Sequence, residues 1–462
     1  RGTRSRRVEM LRVDAGACPF EHSGLSRRSF VQLGVAGLAT LGLPGLMRLQ
    51  EASAKNGSPN RDTRVILIWL DGGPSHMDLY DLKPEAPAEY RGLWRPIKTN
   101  VSGMRISEMF PKQAKVADKF SIVRSIWHND GDHFGGAHRM LTSRPGATGA
   151  DTTGKYPSIG SIATRVTGPR RAGMPSYVAV PYASSVGLRP GYFGANYLGQ
   201  PNDPFETDGD PNSKDFKIRN LTMTQGLTVD RIGDRRSLLR SFDTLRRDVD
   251  ANGQFDAMDK FEQQAYELVT SPEVRKAFDL SAEDDKLRDR YGRNSWGQST
   301  LLARRLVESG VTFTTVLMGG WDHHWNLKEG MEGHLPRLDS AVATLHEDLA
   351  LRGLSQKVCV VICGEFSRTP RMNDGSGNGT PGRDHWGNSM SVVMGGGGLK
   401  GGVVVGATDP KGEAPVERPL TPSDFHATLY HVLGVDPTVQ FMTPGGRPVP
   451  AIDGGEVIKE LI

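Results

Sequence analysis

Hydrophobic and polar positions follow a repeating plan: unbroken apolar runs that stop at an acid or a pair of glycines. The clearest run is Val65-Ile66-Leu67-Ile68-Trp69-Leu70, which ends at Asp71-Gly72-Gly73. Six apolar residues without a polar interruption predict a strand buried on both faces. Two later runs end the same way. Val311 to Met318 leads into Gly319-Gly320-Trp321-Asp322-His323-His324, and Val358 to Cys363 leads into Gly364-Glu365-Phe366. Phe120–Ile126, Ser176–Val180 and Ser389–Met394 add further strand patterns. In open α/β sheets, ligands gather at the carboxyl ends of such strands.

Between the strands the period changes to that of helices. Leu338, Val342, Leu345 and Leu349 share one face of a helix expected over Leu335–Leu351, with Gly353 as a stop signal. His334 and His346 flank or ride that helix and are expected to be exposed. Thr421-Pro422-Ser423-Asp424 reads as a helix start with Thr421 as cap, and the helix stops at Gly434. From about 235 to 309 the chain is charged and helical, with Leu238, Leu239, Phe242 and Leu245, then Phe261, Ala265 and Leu268, at helical spacing. This predicts a helical insertion, a cap beside the sheet edge. The fold class is therefore α/β, with 462 residues enough for a large core.

Composition changes the picture at the front end. The formal net charge is +4. Residues 1–54 hold eight arginines against four acids, so the remainder carries 49 basic and 49 acidic residues. A neutral body gives no reason to expect a nucleic-acid partner. Ser26-Arg27-Arg28-Ser29-Phe30 precedes an apolar segment, Leu33 to Met47, too short and glycine-rich for a stable membrane span. Ala52-Ser53-Ala54 follows as a small-x-small cleavage site. The arginine pair resembles a twin-arginine export signal, which predicts handling by that export machinery and a periplasmic or extracellular protein comprising residues 55–462. Cys359 and Cys363 lie about 13 Å apart on one strand, at ~3.3 Å per residue, and are expected to be buried free thiols.

Candidate chemistry sits at the strand ends. Asp71, Asp322, His324, Glu365 and His385 are the expected metal ligands, since mixed carboxylates and imidazoles suit Zn, Mn or a similar divalent ion. Asp322 and His324 are two apart, so in an extended segment they point the same way. Gly395 to Gly402 lacks the Gly-Lys-Ser/Thr ending of a phosphate loop and reads as a turn. Gly191-Tyr192-Phe193-Gly194 is a candidate substrate-side loop, and His426 and His431 are expected to be structural.

Five motifs then stand in order: Leu70-Asp71-Gly72-Gly73-Pro74-Ser75-His76, Gly319-Gly320-Trp321-Asp322-His323-His324, Gly364-Glu365-Phe366-Ser367-Arg368-Thr369-Pro370, Gly382-Arg383-Asp384-His385-Trp386 and Thr421-Pro422-Ser423-Asp424-Phe425. With these the chain resembles the secreted DUF1501 proteins, of the alkaline-phosphatase-like superfamily that includes sulfatases. The resemblance spans nearly all of residues 55–462. It implies a large central, mostly parallel sheet flanked by helices and two divalent metal ions (Zn, Mn, Ca or Mg). Asp71 and Glu365 would hold one ion, and Asp322, His324 and His385 the other. It also implies a hydrolase acting on a sulfated or phosphorylated small molecule or glycan. The alternative is a metal-stabilised binding or envelope protein on the same fold.

The superfamily's serine, threonine or cysteine nucleophile has no counterpart between His128 and Thr142. His133 and His138 stand there instead, as candidate nucleophiles, general acid/bases or extra ligands. Ser75 is the alternative nucleophile. Arg368 and Arg139 are candidates to grip a non-bridging ester oxygen.

Overall fold

The computed structural model describes residues 62–218, 266, 270–377 and 379–462. The expected export leader with Arg27-Arg28, and the helical spacings at Leu238–Leu245 and at Phe261, Ala265 and Leu268, lie outside the described residues.

The run Val65–Leu70 forms the centre of an eight-stranded sheet. In chain order the strands are β1 (Arg64–Asp71), β2 (Ser121–Ile126), β3 (Tyr177–Val180), β4 (Phe205–Glu206), β5 (Phe313–Gly319), β6 (Val358–Cys363), β7 (Met390–Gly396) and β8 (Val404–Val405). Across the sheet they run β8-β2-β7-β6-β1-β5-β3-β4. β7 is antiparallel to both its neighbours, and every other pairing is parallel. This is the expected large, mostly parallel sheet flanked by helices.

β1 shows why both faces are covered. Ile66, Ile68 and Leu70 point into one apolar cluster, and Val65, Leu67 and Trp69 into another. The first is closed by α3 (Ser295–Ser309), through Leu301, Leu302 and Leu306, and by α4 (Leu327–Leu351). The second is closed by α1 (His133–Thr142), α2 (Ile159–Thr167) and α5 (Pro422–Leu433). All six β1 side chains from Val65 to Leu70 are at most 1% exposed. Each such burial contributes roughly 1.5–3 kcal/mol of transfer free energy.

Two expectations about helices need correction. α4 starts eight residues before Leu335, because Leu327 and Met331 extend the buried stripe of Leu335, Leu338, Val342, Leu345 and Leu349. Gly330, Gly333 and Pro336 disguise this part in the sequence, yet Pro336 faces solvent. His346 is buried on α4 against Phe120, and His334 is half-buried between Trp296 and Trp321. Neither is exposed as expected. α3, inside the expected insertion, covers a sheet face. α5 matches the sequence reading: Thr421 and Asp424 form a reciprocal capping box, and Gly434 ends the helix at φ +69°. Cys359 and Cys363 are buried and free, and burial pushes the Cys359 thiol up to about 12. Among the described residues no helix is long and apolar enough to cross a membrane.

His346 and His426 are fully enclosed, and burial lowers each to about 4 from an ordinary 6.5. Unfolded chains therefore bind these protons at a higher pH than the fold does. The stabilisation is complete above pH 6.5 and is lost as pH falls toward 4, by up to roughly 3 kcal/mol per histidine. His346→Leu should flatten the decline in denaturation midpoint between pH 6.5 and 4. An unchanged slope would refute this assignment.

Candidate metal centre

β6, β1 and β5 are adjacent and parallel, so their carboxyl ends open on one edge of the sheet. The register sets Asp71 opposite Gly319 and Trp69 opposite Cys363. Asp71, Asp322 and Glu365 therefore leave neighbouring strands within a few residues of one line. Gly72 makes the approach feasible. At φ +114°, it would place any Cβ 2.6 Å from the Asp322 backbone nitrogen. His385 arrives on a two-residue ribbon, pairing with Arg368 just after Glu365-Phe366. His133 is the first residue of α1, whose Asp132 cap accepts from the backbone N–H groups of Phe134 and Gly135.

The hydrogen bonds orient the imidazoles. The His324 Nδ1–H donates to Asp384 Oδ1 at 2.6 Å, and the His385 Nδ1–H donates to the Gly131 carbonyl at 2.9 Å. The Nε2 atoms of both rings are thereby turned toward each other, 3.0 Å apart. Asp322 Oδ1 lies 3.1 Å from the first Nε2 and 3.4 Å from the second. With Nδ1 so anchored, each ring can turn an Nε2 lone pair to the point that the carboxylate oxygen also faces. That donor set asks for a cation, and the anchored Nδ1–H is the usual support of a metal-bound histidine. His133, Asp322 and His385 also offer ligand atoms within 4.8 Å of one another.

His133 joins this point to a second group of acids. Its Nδ1–H donates to Glu365 Oε1 at 2.7 Å and its Nε2–H to Asp322 Oδ2 at 3.2 Å. Burial alone would lower its pKa, but the hydrogen bonds and charges of Asp322 and Glu365 raise it to about 9. Glu365 is fully buried; its Oε1 also accepts from the Gly72 N–H, while its Oε2 has no partner. Burial, then the charge of Glu365, pushes Asp71 up to about 6. Its Oδ1 accepts from Trp69 Nε1 and from the backbone N–H of Val186. Burial opposes ionisation of Asp322, yet the hydrogen bond from His133, the nearby His385 ring and the Arg368 guanidinium hold it well below the usual carboxylate range. An orphaned buried carboxylate oxygen and a raised neighbouring acid form a second place where positive charge is missing. Asp71 and Glu365 would thus hold one ion, and Asp322, His324 and His385 another.

Six of the ten sequence-predicted site residues converge: Asp71, His133, Asp322, His324, Glu365 and His385. The other four are placed differently. His138 is fully buried; its Nδ1–H donates to the Arg144 carbonyl, its Nε2 accepts from Lys155 N–H, and its ring packs against Tyr156 and Tyr192. Those contacts tie down a loop, so His138 is structural. Ser75 is also buried and donates to Asp78 Oδ2 at 2.5 Å, so its hydroxyl is not a free nucleophile. Arg139 pairs with Asp130 and Asn129. Arg368 is fully buried and turns inward, donating to the Gly72 and Gly73 carbonyls, to the Arg383 carbonyl and, at 2.5 Å, to Asp322. It positions Asp322 rather than reaching for a substrate oxygen. The Gly191–Gly194 stretch is likewise structural, with Phe193 packed edge-on to Trp69.

Several supporting residues escaped the sequence reading. Asp384 was visible only as the neighbour of His385; alternation along the ribbon turns it away from that ring and onto His324. Arg383 is fully buried, paired with Asp78 at 3.0 Å, and anchors the segment that carries Asp384 and His385. His128 Nε2–H holds the Glu365 carbonyl at 2.7 Å. Val186 reaches Asp71 from a loop in which it adopts φ +48°, a strained value for a β-branched residue.

Fold and centre together define an α/β protein with a carboxylate–imidazole site at its sheet edge. The chain belongs to the DUF1501 family, described as a protein of unknown function, whose family model matches residues 62–462. No curated protein matches the sequence. Solved structures that the chain is similar to include a phosphonate monoester hydrolase from Silicibacter pomeroyi, at 10% identity and TM-score 0.39, covering 86% of this chain and 76% of that one. A sulfatase from Pseudoalteromonas sp. is similar at 13% identity and TM-score 0.36, covering 84% and 70%. The lipoteichoic acid synthase LtaP from Listeria monocytogenes is similar at 10% and 0.37, covering 81% and 72%.

Competition with a chromogenic chelator should separate support from scaffold. Asp384→Asn weakens zinc binding about 10–100-fold by releasing the His324 ring. His138→Gln lowers the melting temperature and leaves zinc affinity unchanged. Equal losses of affinity in both variants would contradict the geometry.

Proposed function

We propose that this protein is a metal-dependent hydrolase of sulfate or phosphate esters, built on an alkaline-phosphatase-like fold. The observation that carries the reading is the facing pair of His324 and His385 Nε2 atoms, 3.0 Å apart beside Asp322 Oδ1. Divalent ions bound here would neutralise the ester's oxygens and stabilise the attacking and leaving oxygens. Asp384, the Gly131 carbonyl and Arg368 hold the ligands in place, so little reorganisation accompanies binding.

His133 is the residue best placed for proton or group transfer. It stands at the amino end of α1 and touches acids of both proposed ion sites. The helix end favours negative charge beside it. With a proton on Nε2, the ring has one to give to a departing alkoxide; deprotonated, it can attack or serve as a ligand. Placing Asp71 and Glu365 beside divalent ions would offset the burial, and the charge of Glu365, that raise Asp71.

A non-catalytic, metal-stabilised binding protein is the second reading. It is favoured by one observation: the nearby hydroxyls are committed elsewhere. Ser75 donates to Asp78, and Thr142 donates to the His138 carbonyl.

Metal analysis with an aryl sulfate and aryl phosphate panel distinguishes them. The hydrolase reading predicts bound divalent metal, turnover of at least one ester, and loss of that turnover in chelator with recovery on metal addition. His133→Ala should then lower kcat by about 10²–10⁴ while metal content holds near that of the parent. Stoichiometric metal with no turnover on any ester would leave the binding reading.

A further inference from the structure

Trp325 follows the metal-ligand pair directly and is 46% exposed, although tryptophan is among the residues most buried on average. Its exposure does not come from a loose backbone. The flanking carbonyls of His323 and His324 accept from Arg383 N–H and Asn373 Nδ2–H at 3.0 and 2.7 Å. Beyond it, the N–H groups of Asn326 and Leu327 donate to the carbonyls of Thr380 and Pro381. Gly382 lies so close that a Cβ there would meet the Trp325 nitrogen at 2.4 Å. A hydrogen-bonded frame therefore fixes the backbone that presents nearly half of the indole surface to solvent.

The surroundings say what that face suits. The indole centroid is 5.9 Å from that of His324, a proposed metal ligand, and Asp384 contacts the same imidazole through one carboxylate oxygen. Asp384 is exposed, and among the described residues the Trp325 indole N–H makes no hydrogen bond. The side chains that fix this stretch are polar: Asn373 on the His324 carbonyl, Asn326 on the Thr380 hydroxyl and Asp384 on the His324 ring. A lipid surface or an apolar peptide would need a contiguous apolar patch, whereas the ring beside this indole is the polar His324 imidazole. A pyranose ring matches better, because it has one face of C–H groups and a rim of hydroxyls. Its face would cover the indole, and its hydroxyls would meet the free carboxylate oxygen and the indole N–H. Asp322 is also solvent-facing, with its side chain 46% exposed, which suits a large substrate lying across the edge. A drug-sized ligand is more often enclosed.

The geometry points to Trp325 as a sugar-binding platform that selects glycan-borne esters for the adjacent metal centre. This assignment rests on the hydrolase reading for its reaction, but not for its binding test. In that test, zinc-loaded full-length protein is titrated with sulfated galactan and sulfated glucan hexasaccharides and their desulfated forms, followed by tryptophan fluorescence. At least one hexasaccharide binds. Trp325→Ala weakens it about tenfold, the weight of roughly 60 Å² of indole face removed from water. Trp325→Phe keeps most of the affinity, and both variants retain zinc and inorganic sulfate binding. The platform is overturned if no hexasaccharide binds, if Trp325→Ala binds as tightly as the parent, or if it loses zinc or sulfate affinity to the same degree. Trp325-dependent glycan binding without ester turnover would sink the hydrolase reading alone. Aryl ester turnover without such binding would sink the platform alone.

Discussion

Concentrated negative charge at one edge of the sheet is the constraint on which the rest of this structure depends. Three neighbouring strands end in acids, and the sheet's register leaves them no way to disperse. The protein answers with fixed positive partners: Arg368 against Asp322, and a doubly protonated His133 between Asp322 and Glu365. These partners do not complete the balance. Glu365 Oε2 remains buried and unpaired, Asp71 is raised by burial and then by the charge of Glu365, and two imidazoles face each other across 3.0 Å. Each is the signature expected where a cation belongs.

The scaffold is built to tolerate that edge. Arg383 and Asp78 form a fully buried ion pair beneath the segment that delivers His385. Removing one partner of such a pair costs on the order of 3–5 kcal/mol, far more than a surface pair is worth. Gly136 lets α1 approach so closely that a Cβ there would lie 2.8 Å from the Phe366 ring, bringing His133 to the acids. Stability is thus invested around the centre. The strained Val186 fits the same pattern, because its backbone N–H is one of the two donors to Asp71 Oδ1.

Much of this was legible in the residue order because strand ends are a one-dimensional signal. The run Val65–Leu70 disclosed a doubly covered strand, and the acid closing each of three runs disclosed the sheet edge. Asp322 and His324 could be paired by alternation alone. What the order could not show was direction. His138 and Ser75 lie beside the right motifs, but packing turns them into the interior, and the fully buried Arg368 looks like a surface cation until its donors are traced. α4 was cut short for a related reason: Gly330, Gly333 and Pro336 obey local rules that the buried stripe of Leu327, Met331 and Leu335 overrides. Asp384 and Val186 act through contacts across long sequence separations, and nothing in their neighbours' spacing announces them.

The most direct test of the centre is anomalous diffraction from crystals of the protein grown with zinc. The account predicts a peak about 2.1 Å from the Nε2 atoms of both His324 and His385, with Asp322 completing the set. Fully occupied zinc found only at other residues, with the two imidazoles still facing across an empty gap, would contradict it.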